Sequence, residues 1–243
     1  MNRKIMQSAV ILLGAAGAVL SACTTAPASS GDDAGTVLTA AERAAGWRSL
    51  FDGSDLAAWR GYRKPGLPDG WRVVDGSLTL VTAGAGDIIT REQFRTFDLR
   101  LEWKVAPGGN SGIFYRATEE GNYIWQSASE MQVLDDERHA DGKSELTSAG
   151  SNFALYPARR GVSRPAGEWN AVRLLVNGSH VEHWLNGVKV VEYELGSPEW
   201  EARVRASKFA SMPLYGRAPR GHIGLQDHGD RVEFRNIRIR VLP

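Results

Sequence analysis

The run WNAVRLLVNGSHVEHWLNGVKVVEYEL, residues 169–195, decides the fold class because apolar and polar side chains alternate along it between two Asn-Gly pairs. Asn177-Gly178 and Asn186-Gly187 are the strongest short-range signal for a hairpin turn. The segments around each pair have the alternation and the β-branched content of half-buried strands. We therefore predict a three-stranded antiparallel meander here.

Strand patterns continue through the rest of the chain, for example in LRLEWKV (99–105) and SGIFYRA (111–117). Near the C-terminus the apolar parity changes between Phe234 and Ile237, which predicts a β-bulge at Arg235-Asn236. Helical signals are confined to a capping box from Thr39 to Glu42 and a cap at Ser197. Many short strands without a βαβ rhythm predict one all-β domain, a sandwich or a barrel.

The N-terminus is expected to be a targeting segment. MNRKIMQSAVILLGAAGAVLSAC has a basic start, an apolar run and small residues before Cys23, which is the layout of a secretory signal. Its end resembles the lipobox of bacterial lipoproteins, which implies cleavage before Cys23 and lipidation of that residue. An ordinary signal with an incidental cysteine is the alternative. We expect a signal peptide (1–22), a flexible tether (23–38) and one folded domain (39–243).

Localisation and partners follow from the same features. Thr24, rather than an acid, follows the cysteine and resembles the outer-membrane-sorted class of lipoproteins. We expect a protein of the cell envelope, held by lipid on Cys23 and facing the periplasm or the cell surface. The formal net charge of +1 over 243 residues does not favour a nucleic-acid partner.

Several kinds of chemistry are excluded by what the sequence lacks. It contains no HExxH, P-loop, GxSxG or CxxC pattern, and its single cysteine is the expected anchor. Thiol nucleophiles and structural zinc–thiolate sites are therefore excluded. Histidines, carboxylates and amides at strand ends remain as candidates.

The segment SEMQVLDDERHADG, residues 129–142, offers the first candidates. Met131 and Val133 form the core face of a strand, which leaves Glu130 on the open face, where a sandwich can present a catalytic carboxylate. A solvated Glu130 paired with a neighbouring arginine is an equally open alternative. Asp135 and His139 follow where the strand ends.

The segment GHIGLQDHGD, residues 221–230, offers a second group. Ile223 and Leu225 share one face, so Gln226 faces the other, and Asp227 and His228 lie where the strand enters a glycine turn. Glycines beside such residues allow a ligand to approach the backbone closely. A polar strand end without function is the alternative.

Two further positions are read from strand parity. In HVEHWLNG, residues 180–187, the parity is ambiguous: His183 is either a core histidine or a site residue. We favour the site, because Trp184 on the other face can supply the core. In GNSGIFYRA, residues 109–117, Phe114 and Arg116 share a face, which directs Arg116 towards the concave side.

Several strings taken together resemble the 3-keto-disaccharide hydrolase family. They are LFDGSDLAAW (50–59), GNSGIFYR (109–116), EMQVLDD with a following histidine (130–139), the whole of residues 164–194, SKFASMPLYG (207–216) and GHIGLQDHGDRVEFRNIRIR (221–240). The resemblance extends from Trp47 to the C-terminus. It implies a concanavalin A-like jelly-roll β-sandwich, which agrees with the sandwich expected from periodicity.

The resemblance also implies a chemistry. Family members act on 3-keto-glycosides produced by a separate sugar 3-dehydrogenase, so functional coupling to such an enzyme is expected. The ketone acidifies the C2–H bond; a base removes that proton, the C1 substituent leaves by β-elimination, and water adds across the double bond. This route avoids the oxocarbenium ion of ordinary glycosidases and needs a base, an enolate stabiliser and an acid.

The polar positions that match the family strings are Arg116, Glu130, Asp135, His139, His183, Lys208, Gln226, Asp227 and His228. The chemistry suggests Glu130 and His228 as acid and base, with His183 as a further catalytic candidate. Lys208 or Arg116 would stabilise the enolate. Arg116, Asp135, His139, Gln226 and Asp227 would bind the sugar, and Trp125 or Trp71 would stack on it.

A metal requirement and a non-catalytic role stay open. These residues demand no cofactor, but a divalent cation held by Glu130, Asp135 and His139 is an alternative, because carboxylates and imidazoles suit Zn or Mn. A carbohydrate-binding lipoprotein without catalysis is the main alternative to an enzyme. A glycosidase for unoxidised sugars is less favoured, because the strand at Glu130 offers one carboxylate on its open face.

Overall fold

The computed structural model describes residues 38–243, and this part of the chain contains two α-helices and thirteen strands. The helices are α1 (Ala40–Ala44) and α2 (Pro198–Arg205). In chain order the strands are β1 (Trp47–Phe51), β2 (Trp59–Gly61), β3 (Trp71–Val74), β4 (Ser77–Leu80), β5 (Ile88–Thr90), β6 (Phe97–Val105), β7 (Asn110–Ala117), β8 (Ser129–Leu134), β9 (Asn170–Asn177), β10 (His180–Leu185), β11 (Val188–Glu194), β12 (His222–Leu225) and β13 (Val232–Val241).

The strands form two antiparallel sheets that pack face to face. The eight-stranded sheet has the order β11-β10-β9-β6-β13-β4-β3. The eighth strand, β1, pairs with residues 237–240 of β13. The five-stranded sheet has the order β2-β5-β12-β7-β8. The chain moves repeatedly between the sheets, and the predicted all-β jelly-roll sandwich is confirmed.

The meander expected in residues 169–195 is confirmed as β9, β10 and β11. His180 pairs with Asn177, and Leu185 pairs with Val188, so each connection is a two-residue turn. The turn residue Asn186 has φ of 48°, a left-handed conformation that asparagine tolerates better than most residues. Local turn chemistry therefore sets the register of this half of the sheet.

The predicted irregularity near the C-terminus is also present. The pairing of β13 with β6 shifts register between Arg235 and Arg238, and Asn236 within the shift has φ of 53°. The extra residue allows Phe234 and Ile237, which have opposite parity, both to face the core. The two predicted helix caps at Thr39 and Ser197 are formed as well.

The main core lies between the sheets, and a smaller cluster covers the outside of the five-stranded sheet. Trp103 of β6 and Tyr115 of β7 belong to the main core. Phe114, the neighbour of Tyr115, faces outward and packs with Ile89 and Ile124 in the smaller cluster. The segment that follows β7 thus folds over the outer face of this sheet and forms one side of a cavity described below.

The predicted signal peptide, the Cys23 anchor and all of the tether except Leu38 fall within residues 1–37, outside the described residues. In residues 38–243, no helix has both the length and the apolar character needed to cross a bilayer.

Candidate active site

A cavity of about 300 Å³ opens on the outer face of the five-stranded sheet, where β7, β8 and the end of β12 meet the loops that cover them. Four of the predicted site residues line it: Glu130, Lys208, Gln226 and His228. The remaining lining residues are Asn110, Trp125, Gln132, Asp141, Phe153, Phe209 and Met212. Larger depressions of 440 and 610 Å³ exist elsewhere, so the chemistry of the lining, and not its size, distinguishes this cavity.

Glu130, the second residue of β8, lies at the floor of this cavity, and only 8% of its surface is exposed. Its carboxyl group occupies the space above Gly112 on the neighbouring strand β7, where a Cβ atom would lie 2.1 Å from Oε1. A glycine at position 112 is therefore needed to accommodate the carboxyl group. The amide of Gln132, with its nitrogen turned towards Glu130, donates to Oε1 at 3.1 Å.

The proton affinity of Glu130 is unusual for a carboxylic acid. Burial raises its pKa to about 8, because the charged form loses hydration. The ammonium of Lys208 opposes this rise, and the negative charges of Asp87 and Asp141 add to it. A carboxyl group that titrates near neutral pH in a cavity can exchange protons with a ligand.

Lys208 also lines the cavity and provides positive charge there. It begins a short 3₁₀ helix, Lys208–Ser211, whose first turn is capped by the Ser207 hydroxyl accepting from the Phe209 amide at 3.1 Å. The residue as a whole keeps solvent exposure, and its ammonium lies 4.1 Å from the centre of the Phe153 ring. Partial burial lowers the pKa of Lys208, and the charge of Glu130 opposes that shift.

Gln226 and His228 extend from the end of β12. The Gln226 amide N–H donates to the Gly112 carbonyl at 3.0 Å, and the Ser111 hydroxyl donates to the Gln226 carbonyl at 2.8 Å. The side-chain Oε1 of Gln226 is shielded from solvent and has no hydrogen-bond partner among residues 38–243. Such an atom marks a place where a ligand can donate a hydrogen bond.

His228 is exposed at the rim of the cavity, and its ring meets that of His139 edge to face, with the ring centres 6.2 Å apart. His139 caps the short helix Ala140–Lys143 by accepting from the Asp141 amide at 3.1 Å. This helix also carries Asp141, which lines the cavity. His139 therefore lies beside the rim of the cavity.

Asp227 holds the loops together and does not line the cavity. Its Oδ2 accepts from the Gly86 amide at 2.8 Å, while its own amide donates to Asp87 Oδ1 at 2.9 Å. Burial, together with the charge of Asp227, raises the pKa of Asp87 to about 6, although the Asp227 N–H opposes the shift. This reciprocal pair of hydrogen bonds positions the segment that carries Gln226 and His228.

His183 is not brought into the cavity. It is fully buried between the sheets, where its Nδ1–H donates to the Gly150 carbonyl at 2.9 Å and Nε2 accepts from the Tyr115 hydroxyl at 3.0 Å. The parity that we favoured is wrong here: Trp184 lies on the outer face of its sheet and His183 faces the core. Burial lowers the pKa of His183 to about 4, so the ring is neutral at physiological pH.

Arg116 also points away from the cavity. It has φ of 55°, and β12 shifts register against β7 at this point, so the expected alternation ends one residue early. The guanidinium donates to the backbone carbonyls of Gly178 and Arg95 instead. The bulge is the physical reason why the parity argument fails for this residue.

Asp135 stabilises the turn after β8. Its carboxylate accepts from the backbone amides of Gly108 at 2.7 Å and Glu137 at 3.1 Å, and Arg138 lies 3.3 Å away. Burial acts to raise the pKa of Asp135, but these hydrogen bonds outweigh it and the pKa lies below its ordinary value. Both oxygens are thus engaged in local structure.

The donor set proposed for a metal ion does not converge. Within the described part of the chain, the one group of three histidine or acidic side chains with ligand atoms within 4.8 Å of one another is His180, Glu182 and Glu192. This group lies on the eight-stranded sheet, and Lys189 already pairs with Glu182 at 3.3 Å and Glu192 at 2.6 Å. Glu130, Asp135 and His139 do not form such a group.

Residues that the sequence did not identify complete the cavity. Phe209 and Asp141 come from short 3₁₀ helices and Phe153 from a loop, where strand alternation carries no information. Asp87, which raises the pKa of Glu130 without lining the cavity, follows a glycine-rich segment before β5 and shows no local pattern. Of the two tryptophans considered for stacking, Trp125 lines the cavity beside Tyr123, whereas Trp71 is buried in the core.

Comparison with known proteins connects this site to a family. Residues 46–240 match the profile of the 3-keto-alpha-glucoside-1,2-lyase-like domain. A 3-keto-disaccharide hydrolase of Bacteroides thetaiotaomicron is 38% identical over 228 residues, which cover 81% of this chain and 79% of that protein.

Solved structures agree with that relationship. A candidate glycosyl hydrolase from Parabacteroides distasonis has a TM-score of 0.78 at 33% identity, covering 85% of this chain and 99% of its own. A second structure of that description from the same organism has a TM-score of 0.64 at 30% identity, covering 81% and 99%. The chain therefore belongs to the 3-keto-alpha-glucoside-1,2-lyase-like family and is an enzyme of the glycoside hydrolase and lyase class.

Proposed function

We propose that this enzyme cleaves 3-keto-glycosides, including 3-keto-disaccharides, by removing the C2 proton, eliminating the C1 substituent and adding water. The name of the Bacteroides relative and the family profile support the substrate class. The observation that carries the mechanism is the buried Glu130 with its raised pKa at the floor of a polar and aromatic cavity.

Glu130 acts as the general base in this proposal. The ketone at C3 makes the C2–H bond acidic, and the ionised carboxylate takes that proton while the electron pair moves onto the C3 oxygen. A base whose pKa lies near the working pH combines a useful ionised fraction with a strong driving force for proton transfer. The buried position of Glu130 provides this balance without a metal-bound hydroxide.

Lys208 stabilises the enolate that results. Its ammonium faces the same cavity and interacts electrostatically with Glu130, so it lies where negative charge develops as the C2 proton leaves. Contact with Phe153 limits its hydration, which strengthens its interaction with an oxyanion. Arg116, the other residue considered for this role, is bonded to backbone carbonyls elsewhere.

His228 serves as the acid for the leaving group. The enolate collapses to a C1=C2 double bond as the C1–O bond breaks, and the departing oxygen takes a proton from the imidazole. The exposed rim position of His228 leaves room for an aglycone that extends into solvent. Water then adds its hydroxide to C1 and gives its proton to His228, which restores the acid. Glu130, whose acquired proton exchanges with solvent while the unsaturated intermediate is bound, then protonates C2, which regenerates the carboxylate.

Binding is shared by polar and aromatic groups. The unpartnered Oε1 of Gln226 accepts a hydrogen bond from a sugar hydroxyl, and Trp125 supplies an aromatic wall for a pyranose ring. Asp227 acts indirectly by holding the Gln226–His228 segment, and His183 maintains the core.

The biological setting is also part of the proposal. Because the reaction needs a ketone at C3, a sugar 3-dehydrogenase must supply the substrate. The lipobox-like segment before Cys23 supports a lipid-anchored enzyme of the cell envelope, where the oxidised sugar would reach it.

The substrate class is tested with a matched pair of aryl glucosides that differ only by oxidation at C3. We expect release of the phenol from the 3-keto-glucoside and none from the unoxidised glucoside, because its C2–H bond lacks an acidifying carbonyl group. Equal cleavage of both would contradict the proposal and indicate an ordinary glycosidase. Saturable binding of the 3-keto-glucoside without phenol release would indicate a carbohydrate-binding protein.

A further inference from the structure

A row of arginines crosses the outer face of the eight-stranded sheet, on the side of the sandwich away from the Glu130 cavity. Arg238 of β13 pairs in register with Arg100 of β6, Arg100 pairs with Arg173 of β9, and Arg173 pairs with Trp184 of β10. Like charges directly opposite one another in a sheet are destabilising. Three adjacent strands nevertheless place a guanidinium group at the same level.

The acidic groups around this row neutralise only part of its positive charge. Asp98 is fully buried and lies 3.0 Å from Arg173, 3.5 Å from Arg240 and 3.7 Å from Arg100, so one carboxylate serves three guanidinium groups. Glu42 lies 3.6 Å from Arg238.

Two neighbouring carboxylates are shared with cations outside the row. Glu182 is 3.8 Å from Arg173 but also pairs with Lys189, and Glu102 pairs with Arg235 at 2.7 Å. Within residues 38–243, the Nε groups of Arg100 and Arg238 are shielded from solvent without a hydrogen-bond partner. The row therefore keeps positive charge that an anion in the groove could offset.

A groove of about 440 Å³ runs along these side chains. The small residues Ala171 and Gly187 line it, and so does Trp184, whose indole N–H donates to Glu182 Oε2 at 2.8 Å. The Arg173 guanidinium and the Lys189 ammonium lie 5.6 and 5.9 Å from the centre of the Trp184 ring, so a sugar would contact the part of the indole that they leave uncovered. Pockets for small ligands begin at about this size. The groove is thus large enough for a ligand with more than one ring.

We propose that this groove binds an acidic saccharide, with a carboxylate held by Arg100 and Arg238 and a sugar ring against Trp184. Arginine guanidinium groups match carboxylate geometry, and an indole offers an apolar surface to a pyranose. The lining favours a saccharide over a lipid surface, because the large exposed hydrophobic residues of the described chain are Val73, Val81, Tyr123, Leu146 and Val241, none of which lines the groove. The proposal is independent of the reaction at Glu130.

The test is isothermal titration calorimetry of the full chain with digalacturonate at low ionic strength, with neutral galactobiose as the matched sugar. The variant Arg100→Gln/Arg238→Gln removes the anion-binding pair, and Arg72→Gln/Arg205→Gln removes two exposed arginines outside the groove. We expect saturable digalacturonate binding that weakens at least about tenfold in the groove variant and less than about twofold in the control. Added salt should weaken it, and galactobiose should not bind.

Three results would overturn the proposal. The first is no saturable binding of digalacturonate, and the second is equal binding by the groove and control variants. The third is tighter binding of inorganic phosphate or phosphatidylglycerol vesicles, lost in the groove variant, because the groove would then recognise a different anion. If the double variant does not fold, Arg238→Gln alone provides the same comparison, with melting temperature as the check. Turnover at the Glu130 cavity should be unchanged in every variant.

Discussion

Glu130 and His183 are both buried ionisable residues, but their surroundings differ in one decisive way. His183 lies between the sheets with each ring nitrogen in a hydrogen bond, to Gly150 and Tyr115. Glu130 lies at the floor of a cavity that Lys208 also lines. Burial favours the neutral form of both side chains, and it therefore lowers the pKa of His183 to about 4 and raises the pKa of Glu130 to about 8.

The comparison shows that a shifted pKa alone does not identify a functional residue. A core histidine whose hydrogen bonds are complete has nothing left to offer a ligand. Glu130 has a raised pKa together with access to a cavity in which Gln226 also has an unpartnered oxygen. Access to a cavity with an unpartnered polar atom beside it separates Glu130 from His183.

The largest expected effect is on turnover. Glu130→Gln should lower kcat/KM for a 3-keto-glucoside by about 10³-fold, in the range that loss of a general base produces. Glu137→Gln, seven positions further along the same segment and exposed, is the matched control and should remain near wild type. Steady-state kinetics with both variants makes the comparison. A Glu130→Gln enzyme with wild-type turnover would remove this residue from the mechanism.

His183 should show the reverse pattern. His183→Leu leaves the buried Tyr115 hydroxyl and the Gly150 carbonyl without their partner, which should lower the free energy of unfolding by about 3 kcal/mol. Turnover per folded molecule should change little. His180→Leu, on the outer face of the same strand, is the control and should cost less than about 1 kcal/mol. Loss of activity in a folded His183→Leu protein would indicate that His183 does contribute to catalysis.

The two residues should also give stability opposite pH dependences. For Glu130 the folded protein binds more protons than the unfolded chain between pH 4.5 and about 8, so stability falls as pH rises through that window. For His183 the unfolded chain binds more protons between about pH 4 and 6.5, so stability falls as pH drops through that window.

Chemical denaturation across pH provides the measurement. At pH 9, Glu130→Gln should be more stable than wild type by about 4 kcal/mol, because the variant no longer buries a charge. At pH 5 the difference should nearly vanish. A constant difference at all pH values would contradict the raised pKa of Glu130.

Much of the fold was predictable because its determinants are local. Asn186-Gly187 specified a hairpin, and the parity change between Phe234 and Ile237 indicated a bulge without any knowledge of the partner strand. The family, identified from strings spread along the chain, is confirmed. In β8, alternation placed Met131 in the core and Glu130 on the opposite face, as the structure shows.

Strand alternation predicted site residues only where a regular strand supplies them, whereas Lys208, in a 3₁₀ helix, was predicted through the family strings. Alternation ends at the bulge beside Arg116, whose positive φ redirects the side chain. For His183 the alternation holds but the choice of face was wrong, because an outer face rich in arginine accommodates Trp184. Phe153 enters the cavity from a loop and Asp141 from a short 3₁₀ helix, and the course of these segments depends on long-range packing. Parity arguments therefore hold up to the first bulge, need separate evidence for which face is the core, and do not extend into loops.

The most direct test of the central claim is the fate of the C2 hydrogen. A 3-keto-glucoside deuterated at C2 should react more slowly than its protonated form, and the 3-keto-glucose released in ordinary water should carry solvent hydrogen at C2. Glu130→Gln should abolish exchange at C2, whereas Glu137→Gln should retain it. Full retention of deuterium at C2 during turnover, with no difference in rate, would contradict proton removal by Glu130.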